Sequence, residues 1–234
     1  NRRGPVIRAT SLIAVGLLYL PMLAVAVFSV DASRVGAHWQ GFTLDWYVRL
    51  LHDREVLSAT VHTLLLAGIS SVIGTVLGTA LAIGIDSFPW AGPVRRSLDT
   101  VLYLPIVMPD IIFAAALLVV FRALRELTGY FNPGLTTMII GHVTFQIAFV
   151  ALVVRARIAT LDKDLEEAAR DLYAGTAQVY RRILLPLLMP AIFGGFLLAF
   201  TLSLDDFVIS FFTSGPDSVT LPLYIYSSVK RGIS

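Results

Sequence analysis

Residues 161–190 read LDKDLEEAARDLYAGTAQVYRRILLPLLMP and form the one long polar run in a very apolar chain. In its first half, apolar residues recur three, four, seven and eight positions apart, which is the spacing of one helix face. They are Leu165, Ala168, Ala169, Leu172 and Tyr173. Charged residues take the opposite face, where Glu166 can pair with Arg170 one turn later. The pattern predicts a short amphipathic helix, and a solvated charged loop is the alternative that periodicity leaves open.

Capping residues mark the ends of this helix and the start of a second one. Asp164 followed three residues later by Glu167 fits a capping-box start. Gly175 is typical of a helix end, and Thr176 can cap a following helix. We therefore predict two short helices joined by an elbow and lying between membrane spans.

The composition excludes a soluble globular protein. The chain has 234 residues, of which 56% are hydrophobic and 15% are charged, and its mean hydropathy is +0.78. There is no cysteine, which excludes disulfides and thiolate metal sites. The formal net charge is only +2 and the basic residues flank apolar runs, so nucleic-acid binding is not expected. The first residue is Asn, and we expect the chain to be part of a longer product.

Five apolar runs are long enough to cross a membrane, since a span needs about 20 largely apolar residues. The predicted spans are 10–30, 58–85, 100–121, 135–154 and 187–212, with a cytoplasmic loop at 155–186. Eleven Lys and Arg residues fall on the side of this loop and seven on the other, which places the N-terminus in the cytoplasm. The prediction is an all-α polytopic helix bundle that forms a single transmembrane domain over residues 1–234.

Small residues form one face of the second span. Ser70, Gly74, Gly78 and Ala82 recur every four residues. Small side chains at this spacing let another helix approach closely, so we expect this face to pack against protein.

Three acidic residues lie inside predicted spans, namely Asp110 in span three and Asp205 and Asp206 in span five. Each costs roughly 2.5–3.5 kcal/mol on insertion scales, and intramembrane charges therefore point to function. Pro109 precedes Asp110 and weakens the local helix hydrogen bonding, so Asp110 can alternatively satisfy the freed backbone.

A polar stripe follows one face of span five. Its members are Ser203, Asp206, Ser210 and Thr213. Asp205 is rotated about 100° from Asp206, so the two carboxylates share a direction only if the helix unwinds there. A stripe with carboxylates suits a water-filled path for a cation. The alternatives are that one Asp caps a broken helix or pairs with a basic residue of a partner subunit.

The remaining intramembrane polar residues favour structure over catalysis. His142 and Gln146 share a face of span four, and interhelical hydrogen bonding is favoured over a proton relay. The sequence contains no metal-ligand cluster, no Ser/His/Asp arrangement and no phosphate-binding Walker motif. We therefore predict no catalytic residues, no metal site and no ATP hydrolysis by this chain itself.

The polar run resembles the EAA loop of ABC importer permeases. The resemblance is carried by Glu167-Ala168-Ala169, followed at the family's distance by Ile183-x-Leu185-Pro186. It implies the type I importer permease fold and a loop that docks into a cleft on a cytoplasmic ATPase. The residues that it assigns to docking are Glu166, Glu167, Ala168, Ala169, Arg170, Asp171, Tyr173, Ala174 and Gly175. One position departs from the pattern, because Tyr173 stands where the family usually has Gly.

Two further segments narrow the resemblance to the permeases of spermidine/putrescine importers. They are residues 104–110 (LPIVMPD) and residues 202–210 (LSLDDFVIS), with the tail 212–226 (FTSGPDSVTLPLYIY). The candidate substrate-path residues are Asp110, Ser203, Asp205, Asp206, Ser210 and Trp46. Trp46 lies in the segment before span two, where a binding protein could touch it, although an interface anchor is the favoured interpretation.

The resemblance also implies an assembly in a bacterial inner membrane. We expect a second homologous permease, two ATPase subunits that hold ATP and Mg²⁺, and an external solute-binding protein. Permeases of this kind usually have six spans with both ends inside, so a sixth span is expected to be missing from the chain.

Three alternative functions remain open at this stage. Importers of ferric iron, thiamine or organophosphonates share the EAA loop. A passive channel or ion-coupled transporter could use the aspartates without an ATPase. An intramembrane aspartyl protease could pair Asp110 with Asp205 or Asp206, but the Gly-x-Gly-Asp segment of such proteases is absent from the sequence.

Overall fold

The computed structural model describes residues 3–33, 38–162 and 164–231. The helices are α1 (Arg3–Phe28), α2 (Asp45–His52), α3 (Arg54–Ser87), α4 (Gly92–Val107), α5 (Asp110–Thr128), α6 (Leu135–Ile158), α7 (Asp164–Asp171), α8 (Thr176–Val179), α9 (Leu185–Leu204), α10 (Val208–Thr213) and α11 (Leu221–Arg231). A π-helical turn, Tyr180–Leu184, joins α8 to α9. The described residues contain no β-strand, and the all-α fold class is confirmed.

The chain divides into two compact units, residues 1–57 and 58–234. In the first unit, the segment after α1 turns back around Asp31, which is 1% exposed. The Asp31 carboxylate accepts the backbone N–H of Gln40 at 2.8 Å. Its backbone carbonyl accepts the indole N–H of Trp46 at 2.9 Å. Trp46 is thereby fixed at the start of α2, with the Arg49 guanidinium 5.1 Å from its ring centre.

Within the part of the chain that the structure describes, four helical segments are long and apolar enough to cross a membrane, by length and composition alone. They are Thr10–Phe28, Arg54–Ser87, Leu135–Ile158 and Thr176–Leu204. A bent pair, α4 with α5, makes up to five.

The bent pair differs from the continuous span expected at 100–121. Its two helices meet at an angle of 109°, and the break falls at Met108 and Pro109. Pro109 forces Met108 out of the helical region, to φ −70° and ψ 137°. Pro105 lies inside α4 without ending it.

The core of the second unit lies between α3, α4, α6 and α9. The four small residues of α3, Ser70, Gly74, Gly78 and Ala82, are all buried, so the prediction that this face packs on protein is confirmed. A methyl group at Gly78 would stand 2.8 Å from the Ile147 carbonyl oxygen, closer than packed atoms approach. The absence of side chains at these positions therefore sets how closely α3 and α6 approach.

The bundle has two ends with different connections. At one end, which we call the distal end, the Gly134 N–H donates to the Thr213 carbonyl at 3.2 Å. The Leu221 N–H donates there to the Thr63 hydroxyl at 2.8 Å. The opposite end, which we call the loop end, carries α7 and α8. Since α3 and α6 both start at the distal end, they run in the same direction.

Candidate functional site

The first candidate site is a break in the helix that was expected to run over residues 187–212. Helix α9 ends at Leu204 and α10 starts at Val208, so residues 205–207, called here the helix break, are not helical. The carboxylate of Asp206 accepts the N–H of Ser210 at 2.8 Å and that of Ile209 at 3.3 Å. The first N–H groups of α10 have no partner within the helix, and Asp206 satisfies two of them. The structure thus gives Asp206 the capping geometry that sequence analysis left as an alternative.

Asp206 also belongs to a buried polar network centred on His142 of α6. The His142 Nε2 atom lies 3.3 Å from an Asp206 carboxylate oxygen and 3.2 Å from the Ser210 hydroxyl. The other ring nitrogen, Nδ1, lies 2.7 Å from the Ser203 hydroxyl. His142 is 2% exposed, so its ring fills the space beside the break. One side chain of α6 therefore holds both flanks of the break.

The network continues one turn along α6 through Gln146. Its amide N–H₂ donates to the Ser70 hydroxyl at 3.1 Å and to the Ala199 carbonyl at 3.1 Å. Ser70 in turn lies 3.3 Å from the Ser203 hydroxyl. The interhelical hydrogen bonding predicted for His142 and Gln146 is confirmed, and it links α3, α6 and α9.

The serines of the predicted stripe face α6 rather than open space. Ser203 and Ser210 are 2% and 0% exposed, and both contact the His142 ring. Asp205 points elsewhere and is exposed. Of the neighbouring carboxylates, Asp206 is thus held inside, whereas Asp205 is exposed.

The break between α4 and α5 lies beside the helix break. Met108 and Phe113, on either side of the first turn of α5, pack in one cluster with Val208 and Ile209 of α10. Asp110 stands in the first turn of α5 and is exposed. Two helix starts, each with an Asp in its first turn or cap, therefore meet at one place. Sequence periodicity missed this juxtaposition, for which the paired signals were Pro109-Asp110 and Asp205-Asp206.

Trp46 lies in the first unit, in α2. It is partly buried and hydrogen-bonded within that unit. Its role in a substrate path or at an interface stays a prediction.

The second candidate site is the polar run, which forms α7, an elbow and α8. Ala169 is buried, and it packs with Val179 and Leu184. Leu172 and Tyr173, at the elbow, are 82% and 96% exposed. The remaining described docking candidates are exposed or half-buried, and they are Glu167, Ala168, Asp171, Ala174 and Gly175. The side chains of Glu166 and Arg170 lie outside the described part of the structure, as does their predicted ion pair.

The caps of these helices differ from the expected ones. The Asp164 N–H donates to the Asp162 carboxylate at 3.1 Å, so Asp162, not Asp164, caps α7. Gly175 precedes α8, and its N–H donates to the Gln178 side chain at 3.1 Å. Thr176 is the first residue of α8 rather than its cap.

The elbow turns at Tyr173 and not at Gly175. Tyr173 has φ +60°, in the left-handed region that glycine adopts most easily. Gly175 has φ −68°, which any residue can adopt. Tyr173 thus takes the conformation expected of the glycine at this position in the family pattern, and its ring projects into solvent.

The second short helix continues without a break into the following span. Residues 176–204 form one helical segment of 29 residues. Its π-helical turn has the Leu185 N–H donating to the Tyr180 carbonyl, five residues back. Pro186 has no N–H to donate, and a π-helical turn directly before a proline is one way to accommodate the lost bond.

An ion-pair cluster that sequence analysis did not single out lies at the loop end. Arg155 of α6 contacts Asp86 of α3 at 2.9 and 3.0 Å and Asp99 of α4 at 2.7 Å. Arg95 contacts Asp86 at 3.2 Å. All four residues flank predicted span ends on the same membrane side, which is the signal that could have grouped them.

Comparison with known proteins places the chain among transport permeases. The family model described as "Binding-protein-dependent transport system inner membrane component" matches residues 74–229. The putrescine transport system permease protein PotI of Escherichia coli is 40% identical over 98% of this chain and 84% of its own length. The spermidine/putrescine transport system permease protein PotC of Escherichia coli is 38% identical over 93% of this chain and 80% of its own length.

Solved structures agree on the fold. The bacterial alginate ABC transporter, in complex with an alginate pentasaccharide-bound periplasmic protein, contains a chain that aligns with a TM-score of 0.77. The alignment covers 99% of this chain and 85% of that one, at 23% identity.

Proposed function

We propose, given that the chain belongs to the family of binding-protein-dependent transport system inner membrane components, that it is a permease subunit that imports polyamines. The observation that carries the substrate is the 40% identity, over 98% of the chain, to a putrescine permease. The chemistry of the helix break supports it.

Polyamines are flexible polycations, and carboxylates with aromatic faces are the groups that bind them. The exposed carboxylates of Asp110 and Asp205 stand at the two adjoining breaks. Phe207 of the helix break lies 4.7 Å, between ring centroids, from Tyr226 of α11. In this proposal Asp205 and Asp110 contact the cationic substrate. Asp206, Ser203 and Ser210 hold the break in position through His142.

In this proposal, partner subunits hydrolyse the ATP that drives transport. The sequence has no Walker motif. In this proposal two cytoplasmic ATPase subunits bind ATP and Mg²⁺, and they also bind the polar run of this chain. The exposed Leu172 and Tyr173 supply an apolar contact on that run, and Glu167 supplies a charge beside it. A second homologous permease completes the path, and an external binding protein delivers the polyamine.

ATP-driven alternating access follows from these assignments. Closure of the ATPases moves the polar run, and the helices attached to it expose the breaks first to one side of the inner membrane and then to the other. The N-terminus lies in the cytoplasm, because more Lys and Arg residues fall on the membrane side of the polar run than on the other side.

The test is uptake of labelled putrescine and spermidine by proteoliposomes that contain the whole assembly. Asp205→Asn is expected to lower uptake at least tenfold while leaving assembly and basal ATPase activity within twofold of the parent. Glu126→Gln is the matched control, because it removes one acidic charge from an exposed ion pair with Arg122, a type that contributes little.

Three outcomes would contradict the proposal. Uptake of 2-aminoethylphosphonate, thiamine or ferric iron without polyamine uptake would reassign the substrate. Uptake without ATP would reassign the protein to ion-coupled or passive transport. Equal polyamine uptake by Asp205→Asn and the parent would remove Asp205 from the path.

A further inference from the structure

The ion-pair cluster joins three helices at the point where the bundle meets the polar run. Arg155 makes a bidentate contact with the Asp86 carboxylate and a third hydrogen bond to Asp99. Its side chain and that of Asp86 are each 15% exposed, and that of Asp99 is 33% exposed. Guanidinium and carboxylate groups in this arrangement form strong, directional hydrogen bonds. The cluster therefore fixes the last turn of α3, the first half of α4 and the last turn of α6 to one another.

The same end of α6 leads directly to the polar run. Leu161, three residues beyond α6, packs against the core cluster of the bundle and also against the cluster that contains Ala169 of α7. A displacement of α7 is thus passed to the end of α6 within a few residues of Arg155. Two cavities, of about 650 and 460 Å³, adjoin the cluster and are each partly lined by Asp86. They leave space for the joined helix ends to move.

The opposite end of α4 meets α5 through a short link. Helix α4 ends at Val107, and the two residues before α5 are outside any helix. A change in the angle between the two helices can be absorbed by rotation about φ of Met108 and ψ of Pro109, because Pro109 fixes only its own φ. When the cluster carries α4 along with α6, the angle between α4 and α5 changes, and Asp110 moves relative to the helix break.

We propose that Arg155 is a positioning residue of the transport cycle, which transmits movement of α7 to the α4–α5 bend through Asp86 and Asp99. This inference rests on the proposed ATP-driven function. It does not depend on which solute is transported.

The first test measures transport coupling in proteoliposomes with the whole assembly. Arg155→Gln is expected to lower the number of solute molecules moved per ATP at least tenfold, with basal ATPase activity within twofold of the parent. Arg155→Lys keeps the charge but loses the bidentate contact, and the number of solute molecules moved per ATP is expected to fall about threefold. Arg96→Gln, an exposed neighbour on α4, is the control and should match the parent.

The second test is independent of substrate. The chain has no cysteine, so spin labels can be placed on the two sides of the bend, at Val101→Cys in α4 and Leu127→Cys in α5, which are 67% and 82% exposed. ATP is expected to change the distance between the labels in the parent and in Arg155→Lys, and not in Arg155→Gln.

The outcomes separate this inference from the proposed substrate. If the parent assembly moves no polyamine but shows the ATP-dependent change in distance, the proposed substrate is wrong and the movement at the α4–α5 bend is supported. A change in distance that persists in Arg155→Gln, or coupling in Arg155→Gln that equals the parent's, overturns the role of Arg155. A distance that ATP does not change in the parent overturns it as well.

Discussion

At the helix break a single carboxylate, Asp206, is surrounded by hydroxyls, backbone N–H groups and one imidazole, whereas at the loop end two carboxylates meet two guanidinium groups. The Asp206 side chain is 14% exposed and that of Arg155 is 15% exposed, so the difference is not one of burial. The two sites differ in their position along the bundle, since one lies in the interior and the other at the loop end. In the interior, backbone N–H groups, hydroxyls and one imidazole surround a carboxylate, whereas guanidinium and carboxylate groups pair at the loop end.

The cost of charge explains this division. Moving an ion into an apolar interior is expensive, and a neighbouring charge repays the cost only with close geometry. Hydroxyl and amide groups avoid most of that penalty, although each interhelical hydrogen bond in a membrane protein contributes only about 0.6 kcal/mol on average. The interior network therefore depends on many weak contacts that converge on His142. The ion-pair cluster depends on a few strong ones.

The largest expected effect comes from removing the centre of the interior network. His142→Leu leaves the Ser203 and Ser210 hydroxyls without the ring, and it leaves the Asp206 carboxylate with its backbone contacts alone. Since buried polar groups without partners cost roughly 1–3 kcal/mol each, we expect a loss of about 3–5 kcal/mol of folding free energy and of nearly all uptake. Thermal unfolding in detergent and uptake in proteoliposomes measure the two effects.

The control for this variant is His62→Leu. Exposed His62 donates one hydrogen bond, 3.3 Å long, to the backbone carbonyl of Val219, and the loss of this bond should change stability by less than 1 kcal/mol. Equal destabilisation by the two variants would mean that the buried network does not depend on His142.

A smaller effect is expected where α3 approaches the network. In Gly74→Ala the new methyl group would stand 2.9 Å from the Gln146 side-chain oxygen, and overpacking of this kind costs roughly 1–3 kcal/mol. Gly68→Ala on the same helix meets no atom within 4 Å, so the gain in helix propensity of up to about 1 kcal/mol should dominate. The two substitutions are chemically identical, and opposite shifts in thermal stability are expected. Shifts of the same sign would show that Gln146 yields to the added methyl group.

The sequence foresaw the interior better than the loop end, for a physical reason. The small-residue face of α3 and the His142–Gln146 pair are readable because helical periodicity places residues on one face before any partner is known. The helix break was foreseen only as an alternative to a continuous span, since the polar spacing from Ser203 to Thr213 continues through it. What stops the helix is Asp206 accepting N–H groups from the following turn, a competition that residue spacing does not report.

Long-range pairing explains the remaining omissions. Asp86 and Arg155 are 69 positions apart, and no local pattern joins them, although both lie at predicted span ends on one side. The elbow shows the reverse error, because Gly175 has the residue type of a helix stop and Tyr173 has the conformation. Residue type biases the backbone by only about 1–2 kcal/mol in the left-handed region, and packing of Ala169 against Val179 is able to override it.

Within the ion-pair cluster, the two carboxylates are expected to contribute unequally. Asp86 meets Arg155 through both oxygens and also meets Arg95, whereas Asp99 makes one contact and is 33% exposed. Asp86→Asn should therefore lower stability by about 1–3 kcal/mol, and Asp99→Asn by less than 1 kcal/mol after allowance for solvent screening. Both losses should shrink as NaCl is raised, while the effect of His142→Leu should stay constant. Thermal unfolding at low and high salt tests the comparison, and a salt-dependent effect of His142→Leu would contradict it.

The smallest effect is expected at the elbow, where Tyr173 has φ +60° and is 96% exposed. Tyr173→Gly removes a side-chain penalty of roughly 1 kcal/mol for the left-handed conformation, partly offset by the greater freedom of glycine in the unfolded chain. The isolated permease should therefore show slightly stronger hydrogen-exchange protection in α7. If the Tyr173 ring contacts the ATPase, the same substitution should weaken ATPase binding, whereas Gly175→Ala, at φ −68°, should change neither. Tighter α7 with weaker ATPase binding would show that the chain accepts backbone strain to present an aromatic ring. Tighter α7 with unchanged binding would make the ring dispensable and leave Glu167 and Leu172 as the docking contacts.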